Sequence, residues 1–477
     1  MELDKDLQAR QEARLLARQS AVAQKQLAVM SQEKLDGITR AVAKAFSGAA
    51  AELAELAVSE TGFGRVEDKI TKNQFASMTV LSAIEDMKTV GILKENQENK
   101  LWEIGVPVGV IAAIVPSTNP TSTVCYKAMI ALKAGCSIVF SPHPKAMACT
   151  TRAAKIVAEA AEKAGAPKGS VLCLSIPSLD GCRELMGAEE TRLILATGGP
   201  AMVKAAYSSG KPAIGVGAGN GPAYIHHSAD VGQALSCILR SKSFDNGTVC
   251  ASEQSIIVEK GMEQQVRDTA VKLGFYFMNP QEAGQLAKLL FKPNGTLNPA
   301  IVGKPATQLA DMAGFSVPRD TKVLVAREQE AGPTRPYSME KLCPVLAFFV
   351  MDSEDAVLEK AIEVLTHEGS GHTFAIHAQD KNVVRKFALQ IPVSRFLVNT
   401  PAALGGIGAT TPLFPALTLG CGAVGGSSSS NNISPLDLIN IRRVAWDNQD
   451  KKVENYPCDE ALVNVITAKI LEKLGEN

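Results

Sequence analysis

The chain of 477 residues carries 49 Lys+Arg against 49 Asp+Glu, so it has no basic excess with which to neutralise phosphates and nucleic acid is not expected as a partner. With 46% hydrophobic and 21% charged residues it has the composition of an ordinary globular chain, and its length is a soft prior for two or three domains. The longest apolar stretch, Ile104 to Pro116, is interrupted by Gly and Pro and falls short of the ~20 residues of a spanning helix, so no membrane association is expected.

The N-terminal MELDKDLQARQEARLL is charged from its second residue and has no apolar core of signal-peptide type, which points to the cytosol. The ten cysteines are scattered with no CxxC. Neither a disulfide framework nor a metal site is expected, and most of them should be reduced, buried fillers.

From Leu7 to about Leu93 the chain is rich in Ala, Glu, Lys and Gln and poor in turn formers, which predicts three or four helices. From Pro107 short β-rich runs alternate with helical stretches: VGVIAAIV, a helix over 122–134, SIVFSP, a helix over 145–164, VLCLSI, a short helix near Asp180, RLILATG, a helix over 201–208, PAIGVG and PAYIHH. Such alternation implies a parallel sheet covered by helices. A second series begins at Gln254, with SIIVEK, helices over 262–274 and 280–290, KVLVA, VLAFFV, a helix over 354–365, HTFAIHA, a helix over 383–390 and SRFLVNT. Gly- and Ser-rich sequence over 405–430 leads into SPLDLINIRRVAW, a late strand expected to pair outside both series and suited to closing an oligomer interface. After a polar spacer, Asp459 is placed to cap a last helix in which Leu462, Ile466, Ile470 and Leu474 recur every four positions. That greasy face either packs on its own domain or docks on a partner surface.

Among the cysteines, Cys250 stands apart. It sits in SFDNGTVCASEQS, a polar, Gly-containing stretch at the junction of the two series, where ligand clefts form. A helix N-terminus there would lower the thiol pKa and make a nucleophile, whereas one cysteine among ten also reads as packing. ATGGP over 196–200 ends a strand and precedes a helix, the geometry that brings backbone N–H groups to a pyrophosphate; a plain strand-to-helix turn is the alternative. The cluster Gly215-Val-Gly-Ala-Gly-Asn220 misses GxGxxG at its last glycine, and no P-loop motif occurs. Of six histidines, none makes a convincing metal spacing, and His372 at the start of a strand is the best placed for acid/base work or ligand contact, with a structural role as the alternative.

SFDNGTVCASEQS, VPSTNPTSTV, IVFSPHPKA, ATGGPAMV, VGAGNGPAYI, EKLCPV, SGHTFAIH, RFLVNTPAALGGIG and PALTLGCGAVGG occur in the order found in coenzyme-A-acylating aldehyde dehydrogenases, which the chain resembles from about Ala9 to Ala445. It is similar to the single-function enzymes and to the aldehyde dehydrogenase part of bifunctional aldehyde/alcohol dehydrogenases, with no alcohol dehydrogenase half following. The resemblance implies an α/β fold of two doubly wound domains plus a small β oligomerisation element. It implies a cofactor-binding domain over 1–98 and 116–235, a catalytic domain over 236–425, oligomerisation strands over 99–115 and 426–450, and a tail over 451–477.

By the same resemblance Cys250 attacks the aldehyde to give a thiohemiacetal, and Asn119 with the Cys250 backbone N–H holds the oxyanion. Hydride passes to the nicotinamide, and coenzyme A displaces the resulting thioester. NAD or NADP would lie across Pro116, Ser117, Thr118 and Asn119, Ser141, Pro142 and His143, Thr197, Gly198, Gly199 and Pro200, and Gly215, Val216 and Gly217. Glu340 would contact the nicotinamide ribose, and His372 would serve the acyl-transfer half. Hydrolytic relatives carry a water-activating glutamate in an E-L-G-G-K stretch; here that stretch is Val216-Gly-Ala-Gly-Asn220. Without that base the thioester should persist until a thiol arrives, which favours acyl transfer over hydrolysis, the nearest rival. Ser141 stands where a lysine often precedes the proline in those enzymes, which leaves NAD and NADP both open. The resemblance further implies a homodimer or a dimer of dimers joined through the strand near Leu438 to Val444. The 459–475 helix is similar to the encapsulation peptides of bacterial microcompartment enzymes, whose substrates are short aldehydes.

Overall fold

Small side chains at three- and four-residue spacing shape the opening of the chain. In the computed structural model, which describes residues 4–447 and 460–475, helix Lys5–Leu27 buries Ala9, Ala13, Ala17, Ser20, Ala23 and Leu27 along one stripe. The stripe lets it lie against helix Leu179–Gly187, where a Cβ on Gly181 would stand 3.1 Å from the Ala9 carbonyl oxygen. Helices Gln32–Gly48 and Ala50–Thr61 follow. Val66–Gln74 then runs through a π turn, Phe75–Thr79, into Val80–Ile84, so four helical rods precede the first strand.

Two parallel sheets organise the larger of two compact units, residues 1–90 with 106–440. The first has five strands in the order Val171–Cys173, Ile138–Ser141, Val110–Ile114, Thr191–Thr197, Ala213–Val216. All its pairings are parallel, and its central strand is buried throughout, as a sheet covered on both faces requires. The second has seven, Phe275–Phe277, Val323–Arg327, Val345–Met351, Glu253–Glu259, Gly221–Ile225, Gly371–His377 and Val393–Val398 in spatial order, again all parallel. Its two faces carry separate apolar cores. The mixed α/β architecture is the one expected.

The other unit comprises 91–105 and 441–477. Strands Gly91–Asn96 and Leu101–Pro107 pair antiparallel, and Ile439–Ala445 completes a three-stranded sheet on the second strand, with Trp102 against Trp446 edge to face at 4.9 Å. The late strand thus finds its partner outside both α/β series. Helix Glu460–Leu474 forms as its periodicity predicts, but Leu462, Ile466, Ile470 and Leu474 are 50–68% exposed, so its apolar face is not packed away as an ordinary domain helix would be. Asp459, the expected cap, lies outside the described residues.

Two expected boundaries move. Val110–Ile114 belongs to the middle of the five-stranded sheet and not to the small one, because it is apolar on both faces while Leu101–Pro107 is only half-buried. Gly221–Ile225 pairs with Glu253–Glu259 and Gly371–His377 in the seven-stranded sheet, so the first sheet ends at Val216. Both faces of that strand are apolar, and nothing in its sequence tells one buried parallel sheet from another. Helix Ala306–Ala313, between Pro305 and Gly314, was not anticipated.

Candidate active site

The five-stranded sheet reverses its winding between Val110–Ile114 and Thr191–Thr197, and open α/β sheets bind ligands beyond the carboxyl ends of strands at such a point. There the chain opens a cleft of ≈ 250 Å³. Pro116 to Asn119 leave the first strand, Thr197 to Pro200 leave the second and enter helix Pro200–Tyr207, and Val216 to Ala218 leave the last. The facing wall comes from segments entering the seven-stranded sheet: Thr248 to Cys250 before Glu253–Glu259, and Glu340 and Leu342 before Val345–Met351.

The cleft therefore collects Pro116, Ser117, Thr118, Asn119, His143, Thr197, Gly198, Gly199, Pro200, Val216, Gly217, Cys250 and Glu340. Ser141, Pro142, Gly215 and His372 are not among its lining residues. Ser141 and Pro142 are buried, and Gly215 is covered by Tyr207, whose hydroxyl accepts the Gly215 N–H at 2.9 Å. Lys72, Thr123, Ala218, Thr248, Val249, Leu342, Ile407, Leu417 and Leu419 also line it; none was singled out from the sequence, although all but Lys72 lie within the motifs quoted above.

No helix begins at Cys250. The residue follows a 3₁₀ turn, Phe244–Gly247, and leads into a strand, so the dipole expected to lower its pKa is missing. Burial, with the Glu340 carboxylate adding, pushes the thiol up to about 12. Its backbone is pressed against the glycine run: a Cβ on Gly219 would lie 1.9 Å from the Cys250 carbonyl oxygen. The Gly219 N–H donates to Glu340 Oε1 at 3.0 Å, and burial together with the nearby Glu368 raises the Glu340 carboxyl to about 8.

His372 is fully buried, with Nδ1 2.9 Å from Thr373 Oγ1 and Nε2 without a partner. Burial and the neighbouring Arg395 hold its pKa well below the ordinary histidine value, so it is a neutral imidazole. At the far end of the seven-stranded sheet, donor atoms of His226, His227 and Glu259 lie within 4.8 Å of one another, with the Tyr224 hydroxyl donating to Glu259 at 2.9 Å.

The cleft fits a dinucleotide. Thr197 Oγ1 is buried and unpartnered at its edge, and a Cβ on Gly199 or Gly217 would meet nothing within 4 Å, so both glycines front free space. Backbone amides at the start of Pro200–Tyr207 add a partial positive charge suited to a pyrophosphate. Among the described residues no helix is long and apolar enough to cross a membrane, and the nine described cysteines are free.

Residues 6–274 match the model of the aldehyde dehydrogenase family. The chain is 46% identical over 439 residues to the bifunctional aldehyde-alcohol dehydrogenase AdhE of Escherichia coli, covering 91% of this chain and 48% of that protein; it thus spans about half the length of the bifunctional relatives it matches. It is 36% identical over 441 residues to the succinate-semialdehyde dehydrogenase (acetylating) of Clostridium kluyveri, covering 92% of this chain and 97% of the other. Among solved structures, an acetylating aldehyde dehydrogenase from Geobacillus thermoglucosidasius superposes with a TM-score of 0.92 at 48% identity, covering 94% of this chain and 99% of that one. A propionaldehyde dehydrogenase of Rhodopseudomonas palustris, solved with bound CoA and an acylated cysteine, superposes at 0.82 and 27% identity over 91% and 97% of the two chains. With its cysteine, its glycine-rich strand ends and its paired parallel sheets in one arrangement, the chain belongs to the aldehyde dehydrogenase family.

Proposed function

We propose that the chain is a CoA-acylating aldehyde dehydrogenase, which oxidises a short aldehyde to its acyl-CoA with NAD or NADP as hydride acceptor. The sulfur of Cys250, having given its proton to solvent, bonds to the aldehyde carbon and forms a thiohemiacetal. Asn119 and the Cys250 backbone N–H steady the oxygen that gains charge. A nicotinamide dinucleotide would be held by Pro116 to Asn119, Thr197 to Pro200 and Val216 to Gly217, with Glu340 as the carboxylate for its ribose, and would supply the hydride acceptor. Loss of hydride leaves a thioester on Cys250, which the thiol of coenzyme A displaces, regenerating the cysteine.

One observation carries the choice of acyl transfer over hydrolysis. At the position of the hydrolytic base the cleft presents Val216, an apolar side chain. The carboxylate that does reach the cleft, Glu340, already accepts the Gly219 N–H and is raised to about 8, so near pH 7 it is largely protonated and a poor base for water. A thiol needs far less activation than water, and coenzyme A is the acceptor this cleft favours. His372 would serve that half-reaction as a neutral ring beside Arg395. The test is reduced-nicotinamide formation from acetaldehyde and NAD: dependence on coenzyme A supports the reading, and turnover to carboxylic acid without it overturns it.

Outside the cleft, Ile439–Ala445 is an exposed outer strand of its sheet, and its free edge supports pairing with a second copy in a homodimer or dimer of dimers. The exposed apolar face of Glu460–Leu474 supports docking to a partner such as a bacterial microcompartment shell or cargo protein. Light scattering showing a monomer overturns the first assignment, and unchanged partner capture after deletion of 459–475 overturns the second.

A further inference from the structure

Beside Asn119 the structure buries charges that the reaction above does not use. Lys69 and Lys72, on one face of helix Val66–Gln74, are 3% and 4% exposed, and both ammonium groups contact Asp245 Oδ2, whose side chain is fully buried. Lys69 donates to that carboxylate at 2.9 Å and to the Thr118 carbonyl at 2.9 Å. Lys72 donates to Asp245 Oδ2, to Thr248 Oγ1 at 3.2 Å and to Asn119 Oδ1 at 2.6 Å.

An ammonium has three hydrogens and no lone pair, so these three bonds exhaust Lys72. It has no donor left for a substrate, although it reaches the cleft wall. Its bond to Asn119 also decides which way the carboxamide faces, since only the oxygen end can accept from a lysine. The nitrogen end is thereby turned the other way. One N–H reaches the Thr248 carbonyl at 3.1 Å, and the other has only the neighbouring Thr118 hydroxyl at a long 3.3 Å, on the cleft wall.

The anchor of this arrangement is built at some cost. Asp245 and Asn246 both sit in the left-handed region, at φ +49° and +50°, which is unfavourable for non-glycine residues. The carboxylate presses on Gly64 so closely that a Cβ there would lie 1.8 Å from Asp245 Oδ1. That oxygen takes the Arg65 N–H at 2.7 Å, and Asp68 Oδ2 takes the Asp245 N–H at 2.8 Å. Two buried ammonium groups against one fully buried carboxylate leave one positive charge in excess, with Asp68 at the solvent edge near Arg65, 3.7 Å away. Burial and Lys69 push the Lys72 ammonium down to about 8, against the pull of Asp245, which keeps it mostly charged at neutral pH.

We propose that Lys72, clamped by Asp245, is a positioning residue for the aldehyde oxidation: it orients the Asn119 carboxamide with its nitrogen toward the oxyanion formed at Cys250. The proposal rests on Asn119 as an oxyanion donor. Lys72 needs no contact with the aldehyde to act, because a carboxamide whose oxygen faced the cleft would repel the charge it now steadies.

A double-mutant cycle in the full chain tests this, with acetaldehyde, NAD and coenzyme A as substrates and Lys72→Met, Asn119→Ala and the double variant compared. Asn119→Ala should lower kcat on the order of 10²–10³-fold, the loss typical of one oxyanion donor. Lys72→Met should lower kcat on the order of 10²-fold with the KM values for acetaldehyde and NAD nearly unchanged, and the double variant should be about as slow as Asn119→Ala alone. Losses that multiply in the double variant, or a Lys72→Met loss confined to KM, overturn the Lys72 proposal and leave Asn119 standing. Undiminished turnover in Asn119→Ala overturns the oxyanion assignment itself, and the Lys72 proposal with it. If Lys72→Met does not fold, Lys72→Gln carries the same cycle; as a neutral side chain that keeps an N–H donor it should lose less kcat, and it must still show no added loss in the Asn119→Ala background.

Discussion

The two walls of the cleft are made of different matter. One, Thr197 to Pro200 with Val216 and Gly217, offers backbone, glycine and a single unpartnered hydroxyl, each at the end of a strand within its own short segment. The other joins Cys250 and Glu340 of the facing side to Asn119, supported from behind by Lys69, Lys72 and Asp245, residues brought together from four separate parts of the chain. A wall of backbone can be written in a local motif and tolerates change in its neighbours. A wall of buried charge depends on long-range assembly, where each loss leaves a partner unsatisfied. Substitutions in the first wall should therefore alter dinucleotide affinity, and those in the second should alter chemistry.

Cys250→Ala makes the sharpest division: turnover should fall on the order of 10⁴-fold or more, while the melting temperature moves only about 2–4 °C. A large residual rate would remove the second wall from the chemistry. Gly219→Ala comes next, because its Cβ would fall 1.9 Å from the Cys250 carbonyl oxygen and 2.7 Å from its carbon. The backbone must shift, and a displaced nucleophile should cost about 10²-fold in kcat. A kcat within a few-fold of wild type would mean that this contact does not set the position of Cys250.

On the first wall, Thr197→Val removes a hydroxyl that has no partner in the free protein. The KM for NAD should rise about fivefold, the worth of one hydrogen bond, while stability to urea stays the same or increases slightly. A fall in kcat with KM unchanged would blur the division between the walls. The smallest effect is that of Glu340→Gln on the alkylation of Cys250 by iodoacetamide. With the thiol pushed up to about 12, the thiolate fraction and hence the rate should climb about tenfold per pH unit from pH 7 to 9 with no plateau. Glu340→Gln removes a negative charge that raises the thiol. Since burial raises the Glu340 carboxyl to about 8, the variant should react a few-fold faster at pH 9 and equally at pH 7.

What could be read from the sequence follows the same division. The alternating β and α periods, the helical opening and the glycine-bearing strand ends are local signals, and the structure carries them all. Gly221–Ile225 was grouped with the wrong sheet because a strand buried on both faces looks alike in any parallel sheet. Cys250 stood out by its polar setting, yet the same residues suggested a helix start where the chain instead runs into strand Glu253–Glu259. Lys69 and Lys72 lie in VEDKITKNQ, within the opening helical region, where no local motif sets them apart. Only the fold reveals that they meet Asp245, 176 and 173 positions further along.

The most direct measurement is the absorbance of reduced nicotinamide formed from acetaldehyde and NAD, with and without coenzyme A, on the intact chain and on Cys250→Ala. The account predicts a signal that needs coenzyme A for continued turnover and disappears in the variant. Sustained turnover to carboxylic acid without coenzyme A, or full activity in Cys250→Ala, would contradict it.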